Sequence, residues 1–130
     1  YGKLYNWYAL NDPRGLAPIG WHISNDEEWI ELTDFLGGES SAGGKLKAKN
    51  TLWEAPNTGA TNSSGFTGLP GGYRDAQGNF YSIGYTGYWW CSTDLNDEFA
   101  WFRSIDYYAK DSFSYYDYKK SGFSVRCVKN

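Results

Sequence analysis

The most chemically distinctive stretch of this sequence is residues 106–118, in which tyrosine, phenylalanine, serine and aspartate fill nearly every position. Tyrosine presents a large, rigid ring with one polar atom, and serine and aspartate form adaptable hydrogen bonds, as in antibody-like binding surfaces. No nucleophile stands beside a general base there. The segment therefore predicts recognition, carried by a loop between two structural flanks, residues 88–93 and 122–128.

The candidate ligand-binding residues lie in this segment and in the stretch that leads into it from residue 94. They are Asp94, Asn96, Phe99, Phe102, Ser104, Asp106, Tyr108, Asp111, Phe113, Tyr115, Tyr116 and Tyr118. No catalytic residue, metal ligand or cofactor is assigned. The sequence leaves the ligand and the oligomeric state open.

Residues 100–108 alternate with a period of two, which predicts a strand with two distinct faces. The inward face is expected to hold Trp101, Arg103, Ile105 and Tyr107, and the outward face Phe102, Ser104, Asp106 and Tyr108. Trp89 and Trp90 are neighbours in a strand predicted over residues 88–92, so they point to opposite faces. One is expected in the core, and the other could form the floor of the recognition surface.

Three other groups of residues could carry chemistry. Asp94, Asn96, Asp97 and Glu98 supply oxygen ligands of the kind that calcium prefers, but without EF-hand spacing, so a solvated acidic loop is favoured over a structural calcium site. His22 is the only histidine and is interpreted as a packed or capping residue. Cys91 and Cys127 bracket the tyrosine-rich segment, and free thiols are favoured over a disulfide that would suit a secreted protein.

Composition bounds the class of protein. With 130 residues, we expect one domain, residues 1–130. The net charge of -3 and the scattered lysines and arginines argue against nucleic acid as a partner. No apolar run is long enough to span a membrane, and no leader sequence is recognised. The aromatic content of 20% is high, and tryptophan and tyrosine dominate interface hot spots.

The remaining elements follow from local patterns. Residues 4–10 alternate loosely and predict a strand. Ser24 with Glu27 predicts a capping box before a helix over residues 25–36, whose inner face holds Trp29, Leu32 and Leu36. A second helix is predicted over residues 42–49, weakened by two glycines. Residues 50–72 predict a long loop, residues 75–79 a turn between two strands, and residues 123–127 a final strand.

A series of short motifs closely resembles the Fibrobacter succinogenes major paralogous domain family over nearly the whole chain. In order, they are LYNWYA at 4–9, GWHIS at 20–24, EW at 28–29, LGG at 36–38, AGGKLK at 42–47, SGF at 64–66, LPGGYR at 69–74, YWW at 88–90 and GFSVRC at 122–127. The resemblance implies an α+β domain of the C-type lectin-like fold, in its formylglycine-generating-enzyme branch. Two helices would pack on a small twisted antiparallel sheet with long loops, and the first and last strands would pair.

A narrower resemblance is to C-type lectin-like proteins diversified by retroelements in bacteria and their phages, some of which end in a motif like GFSVRC. It implies that the residue types at 94–118 are products of adenine mutagenesis, with Trp101, Arg103, Lys119 and Lys120 as fixed positions. A paralogue that is not diversified remains the alternative. The resemblance also implies an extracellular site of action, on a bacterial cell surface or a phage virion.

These observations predict a non-enzymatic domain that binds a protein or glycan on a cell surface. The alternative is a carbohydrate-binding module with exposed tryptophan and tyrosine platforms, with or without calcium. An oxidase like the formylglycine-generating enzymes would need a pair of reactive cysteines that residues 101–120 do not contain. Calcium ligands of the lectin kind are also not matched, because residues 54–57 carry an inserted alanine and have no partner triplet.

Overall fold

The computed structural model describes all residues, 1–130, and shows an α+β protein with a mixed sheet. The helices are α1 (Trp7–Leu10), α2 (Asp26–Phe35) and α3 (Glu39–Leu46). The strands are β1 (Tyr5–Asn6), β2 (Trp21–Ile23), β3 (Gly71–Arg74), β4 (Phe80–Ile83), β5 (Thr86–Asp94), β6 (Phe99–Asp106), β7 (Ser112–Tyr118), β8 (Gly122–Phe123) and β9 (Cys127–Lys129). The α+β class is confirmed, with three helices where two were expected.

Seven strands form one sheet, in the order β1-β8-β3-β5-β6-β7 with β4 beside β3, while β2 and β9 form a separate ribbon. The sheet is mixed rather than antiparallel throughout, because β3 and β5 pair in parallel. Tyr5 pairs with Phe123, as expected for the two ends of the chain. The predicted final strand is nevertheless split. Arg126, between β8 and β9, turns away to donate to the Phe66 carbonyl at 2.9 Å.

Both faces of the sheet are covered by buried side chains. Trp89 belongs to a cluster with Trp29 of α2, and Trp90 belongs to a second cluster with Phe102. Successive residues of a strand point to opposite faces, so β5 and β6 each contribute to both clusters. Trp89 and Trp90 are 5% and 0% exposed. The expectation that one of them floors a recognition surface is therefore wrong.

The predicted helix over residues 25–36 is confirmed as α2, but it is capped one residue later than expected. Asn25, not Ser24, accepts a hydrogen bond from the Glu28 N–H, and the Glu28 carboxylate accepts one from the Asn25 N–H, both at 2.9 Å. These two bonds form the capping box. Trp29 and Leu36 on the inner face are buried.

Residues 4–10 do not form one strand. The chain leaves β1 at Asn6, whose side chain accepts a hydrogen bond from the Ala9 N–H at 3.1 Å and so caps α1. Trp7 and Leu10, one turn apart, are then both buried. Local capping together with burial at helical spacing therefore outweighs the loose alternation that predicts a strand.

The third helix begins at residue 39 and ends at residue 46, so each end lies three residues before the end predicted by the range 42–49. Its two glycines have a structural reason, because they lie where other main-chain segments approach the helix. A Cβ on Gly43 would come within 1.9 Å of the Asp111 carbonyl oxygen, and one on Gly44 within 2.4 Å of the Gly59 carbonyl oxygen. Glycine is required at both positions, because a side chain at Gly43 would push α3 away from the start of β7 and one at Gly44 would push it away from the loop at Gly59.

Lys47, directly after α3, is fully buried. Its ammonium donates to the carbonyls of Thr58, Asp106 and Ala109 at 2.7, 2.8 and 2.7 Å. Three acceptors match the three ammonium protons. Burial lowers the pKa of Lys47 to about 8, so the side chain is still charged at neutral pH. It joins the loop after α3, the end of β6 and the turn before β7.

Replacing Lys47 by Met should reduce the free energy of unfolding by about 3 kcal/mol or more, because three buried carbonyls lose their donor. Lys45→Met is the matched control, since Lys45 donates to a single carbonyl, that of Leu36, at 2.7 Å. Urea denaturation of both variants measures the difference. Equal losses for the two variants would contradict the role given to Lys47.

Candidate functional site

Residues 112–118 of the tyrosine-rich segment form the outermost strand of the sheet, β7, so the prediction of a loop is wrong there and holds only for residues 107–111. β7 pairs with β6 along its length, from Phe99 opposite Tyr118 to Ile105 opposite Ser112. No strand lies beyond β7. Residues 112–118 contain neither glycine nor proline and are rich in aromatic residues, a signal that favours a strand over a loop.

A cluster of aromatic rings lies along this strand pair. The ring centroid of Phe99 is 5.6 Å from that of Tyr116 and 4.6 Å from that of Tyr118, and Trp101 is 5.8 Å from Tyr116. The Tyr115 ring stacks on Tyr116 at 5.1 Å. We call Phe99, Trp101, Tyr115, Tyr116 and Tyr118 the aromatic edge. Its rings restrain one another, so a ligand that contacted them would cost them little further side-chain entropy.

The candidate ligand-binding residues differ in exposure. Those that are exposed are Asp94, Asn96, Tyr108, Phe113, Tyr115, Tyr116 and Tyr118, and those that are half-buried are Phe99, Asp106 and Asp111. Tyr115 and Tyr118, at 61% and 51%, are among the most exposed rings of the aromatic edge. The part of the predicted set that a ligand can reach is therefore mainly β7 and the turn before β6.

Phe102 and Ser104 are buried, at 9% and 8% exposure, so their predicted outward position is wrong. The alternation of β6 is as predicted, and Arg103 and Ile105 of the inward face are buried at 5% and 2%. The second face of β6 is nevertheless covered by the cluster around Trp90. Alternation in a sequence separates two faces but does not reveal that both are covered.

The candidate residues also do not form one surface. Tyr108 lies at the opposite end of β6 from the aromatic edge, where its ring centroid is 5.4 Å from that of Tyr107, which is 5.2 Å from that of Tyr85. Asp111 lies at that end as well, against α3. Asp106 is held by the Thr86 hydroxyl, which donates to its carboxylate at 2.6 Å. These side chains lie apart from the aromatic edge.

Two buried cations hold the strands beside the aromatic edge in place. Arg103 Nη1 lies 2.8 Å from the carboxylate of Asp26, in the first turn of α2. Lys119 Nζ lies 2.9 Å from the carboxylate of Asp94 and 4.3 Å from the ring centroid of Trp7. The hydrogen bond from Lys119 holds the pKa of the Asp94 carboxyl below its usual value. The exposed rings therefore stand on a fixed framework.

The acidic stretch between β5 and β6 is a turn held by its own side chains. Asn96 Oδ1 accepts hydrogen bonds from the N–H groups of Glu98 and Phe99, both at 2.9 Å. Asp94 is directed to Lys119. No group of three or more His, Cys, Asp or Glu side chains is arranged to hold a metal ion. This geometry offers no support for calcium ligation in the stretch.

A polar groove of about 390 Å³ adjoins the aromatic edge, lined by Tyr8, Ala76, Gln77, Asp97, Glu98, Tyr118 and Lys120. Tyr8 is 51% exposed and was not foreseen as a surface residue of this site, because residues 4–10 predict a strand. The sequence also does not indicate Trp101 as part of this site. Its place on the inward face predicts burial, whereas the ring is only half-buried. Both residues extend the surface that a ligand would meet.

A larger cavity, about 640 Å³, lies elsewhere, between α2 and β9, and contains none of the candidate ligand-binding residues. Trp29, Leu32 and Phe66 line it, and Arg126 stacks on Phe66 at 4.1 Å. Its walls are mainly apolar. Size alone therefore singles out a different place from the one that the exposed aromatic rings single out.

His22 is fully engaged by hydrogen bonds. Its Nδ1 lies 2.6 Å from Asn130 Oδ1, and its Nε2 lies 2.6 Å from Glu28 Oε1. The hydrogen bonds to Asn130 and to Glu28 raise the pKa of His22 above its usual value. Neither ring nitrogen is free to activate a nucleophile.

Cys91 and Cys127 are free thiols, as favoured from the sequence. They pack with different clusters, Cys91 with that around Trp89 and Cys127 with that around Trp90, so the sheet separates them. Burial raises the pKa of Cys91 to about 12, which keeps it protonated. The reactive form of a cysteine is the thiolate, so Cys91 is a core residue.

Comparison with known proteins identifies the family. The family model of the Fibrobacter succinogenes major domain matches residues 1–129, and the chain belongs to this family. No curated protein matches the chain, and no solved structure does. None of the three helices has the length and apolar character needed to cross a membrane.

The difference in side-chain burial between β6 and β7 can be tested on one cross-strand pair, Phe102 and Tyr115. Phe102→Ser should reduce the free energy of unfolding by at least about 3 kcal/mol, as for other large core rings. Tyr115→Ser should change it by no more than about 0.5 kcal/mol, because the ring is exposed. Urea denaturation measures both, and a large loss for Tyr115→Ser would show that the edge strand is part of the core.

The pKa of His22 can be followed by NMR, because the chain has a single histidine. It should exceed 6.5 and fall towards that value in Asn130→Ala and in Glu28→Gln, which keeps a capping side chain. Because folding raises the pKa of His22, its protonation stabilises the folded state. This stabilisation is complete below pH 6.5 and is lost as pH rises through the folded pKa. A pKa at or below 6.5 in the parent protein would contradict the geometry.

Proposed function

We propose that this domain is a non-enzymatic binding module that recognises a macromolecular surface, a protein or a glycan, through the aromatic edge. One observation carries the proposal: exposed rings lie side by side on an edge strand whose neighbour is fixed on both faces. Clustered aromatic residues supply most of the binding energy in protein interfaces. Here they need little ordering, since a tyrosine has only two side-chain torsions.

The ligand-binding set differs from the one expected from the sequence. It comprises the aromatic edge, the exposed acidic turn with Asp94 and Asn96, and the groove beside Tyr118, with Phe113 on the other face of β7. Phe102 and Ser104 are left out because they are buried. Tyr108, Asp106 and Asp111 would form a separate, secondary contact at the far end of β6.

Two features support a binding role over an enzymatic one. Both ring nitrogens of His22 are occupied by hydrogen bonds. Cys91 is buried and protonated, and the sheet separates it from Cys127, so the two cannot act as the closely spaced pair that an oxidase of the formylglycine-generating type would need. The proposal therefore assigns no catalytic residue, no metal and no cofactor.

We further propose that the fold is a member of the C-type lectin-like class, in the formylglycine-generating-enzyme branch, and that the domain acts outside the cell, on a bacterial surface or a phage virion. The pairing of β1 with β8 and the long loop before β3 support this class. The segment from residue 94 to residue 118 would be diversified by a retroelement. In support, Arg103 and Lys119, which would be fixed, are both buried cations that pair with a carboxylate.

Buried Phe102, Ser104 and Ser112 restrict this diversification, because a varied residue inside the core would destabilise the fold. The varied positions would then concentrate on β7 and the acidic turn. Sequencing the flanking genome tests the idea. A reverse transcriptase gene with a near-copy of the region encoding residues 94–127 is expected, and a lone gene would exclude it.

The recognition surface is tested with the labelled domain on a glycan array and on an array of intact bacterial cells. Replacing Tyr115, Tyr116 and Tyr118 together by Ser should weaken any binding at least about tenfold. The matched control replaces Phe80 and Ile83 of β4, which are 71% and 60% exposed, by Ser and should bind as the parent does.

The same arrays distinguish recognition through the aromatic edge from the alternative, a carbohydrate-binding module with a tryptophan platform. Trp21 is the one tryptophan among the exposed large apolar residues, at 44%. Glycan binding that survives the triple tyrosine change but is lost in Trp21→Ala, or on adding a chelator, would favour that module and contradict the role of the aromatic edge.

A further inference from the structure

The outer side of β7 carries main-chain groups with no partner in this chain. The Lys119 N–H donates to the Glu98 carbonyl at 2.8 Å, which fixes the phase of the ladder between β6 and β7. In an antiparallel pair, residues alternate between bonding to the neighbour and facing away from it. Tyr115 therefore bonds to β6, whereas Ser114 and Tyr116 direct their N–H and C=O groups to the open side.

This open side ends at Tyr118. The Tyr118 N–H donates to the Asp117 carboxylate at 2.6 Å, and its carbonyl accepts from the Ser121 N–H at 2.8 Å. Residues 112–116 contain no charge, no proline and no glycine. Charged residues and proline are devices with which proteins usually protect an edge strand from pairing with another chain. The main-chain groups of Ser114 and Tyr116 are thus the open part of this side, with Tyr115 between them.

We propose that β7 pairs with β7 of a second copy of this chain, antiparallel, with the two Tyr115 residues opposite each other on a twofold axis. Ser114 of one copy then lies opposite Tyr116 of the other. Each such pair exchanges two main-chain hydrogen bonds, so the dimer forms four in all, from groups that are otherwise open. The two sheets become continuous across the interface.

Size and charge select this register. On the face shared with Trp101, small Ser114 meets large Tyr116, which avoids contact between two rings. Centring the pairing on Ser114 would place Asp111 opposite Asp117, two like charges. Centring it on Tyr116 would need the main chain of Tyr118, which is already bonded.

The dimer should be weak. Phe113, Tyr115, Tyr116 and Tyr118 are 38%, 61%, 39% and 51% exposed, so together they offer on the order of 400 Å² per copy. Both copies together fall short of the roughly 1,200 Å² of a stable interface. Lys110 and Lys120 also meet beyond the strand ends, which weakens the dimer further at low salt. We expect a dissociation constant on the order of 100 µM.

Dimerisation uses the open main chain of β7 and covers part of its rings, and it would place the rings that stay exposed on the two copies side by side. A ligand with repeated epitopes would then be bound bivalently. A failure to dimerise would leave ligand binding by the monomer intact, so the two proposals fail separately.

Sedimentation equilibrium from about 1 µM to 1 mM tests the association at moderate salt. The parent chain should pass from monomer to dimer. Ser114→Pro should remain monomeric with an unchanged melting temperature, because the missing N–H is one that does not bond to β6. Phe80→Ser, an exposed ring on β4, should dimerise as the parent does.

A crosslinking experiment tests the register without relying on proline. Tyr115→Cys should form a disulfide-linked dimer under mild oxidation, since residues on the axis face each other across a narrow, non-hydrogen-bonded pair. Phe113→Cys should crosslink at least tenfold less, because it lies opposite Asp117, and the parent chain reports any background from its own cysteines.

Three results would overturn the proposal: a monomer at all concentrations, a dimer that persists in Ser114→Pro, or crosslinking that does not favour position 115. A persistent monomer would mean that the stacked rings of Tyr115 and Tyr116 cover the open edge.

Discussion

The buried ammonium of Lys47 makes the contacts on which the position of the aromatic edge depends. The chain must cross from α3 through a long irregular loop, and later from β6 to β7, and both connections leave main-chain carbonyls inside the protein. Lys47 meets one carbonyl of that loop and two at the turn between the strands. An ammonium is suited to this task because it donates in three directions and accepts nothing. With the turn fixed, β7 is held at one position along β6.

The sheet changes character across its last three strands. β5 and β6 are covered on both faces and contribute to both cores, whereas β7 has few buried side chains apart from Ser112. Of the two neighbouring strands, β6 therefore belongs to the core and β7 to the surface. Arg103 and Lys119 mark the boundary, because each cation reaches from this region to a carboxylate on another element. Such a boundary lets surface side chains vary while the framework beneath them stays fixed.

An edge strand offers a ligand two kinds of contact. Its side chains form the aromatic edge on the faces, and its main chain presents donors and acceptors in the plane of the sheet. The first contact depends on residue type and gives specificity, whereas the second is the same whatever the side chains are. A domain whose exposed residues change over evolution would keep the second contact, so the proposed self-pairing and the proposed ligand recognition rest on different groups of β7.

The sequence by itself determined the family, the α+β class, helix α2 with its inner face, the hairpin of β3 and β4, and the alternation of β6. The family and the α+β class follow from the resemblance of the motifs. Helix α2, the hairpin and the alternation depend on local capping, turn residues and periodicity, which neighbouring residues impose on one another. Only the tertiary structure decided that residues 112–118 lie at the edge of the sheet, that the glycines of α3 meet other main chain, and that Phe102 and Ser104 are buried. Each of these depends on what packs against a residue from a distant part of the chain. Alternation shows that a strand has two faces, and only the fold decides whether the second face meets water or another layer of side chains.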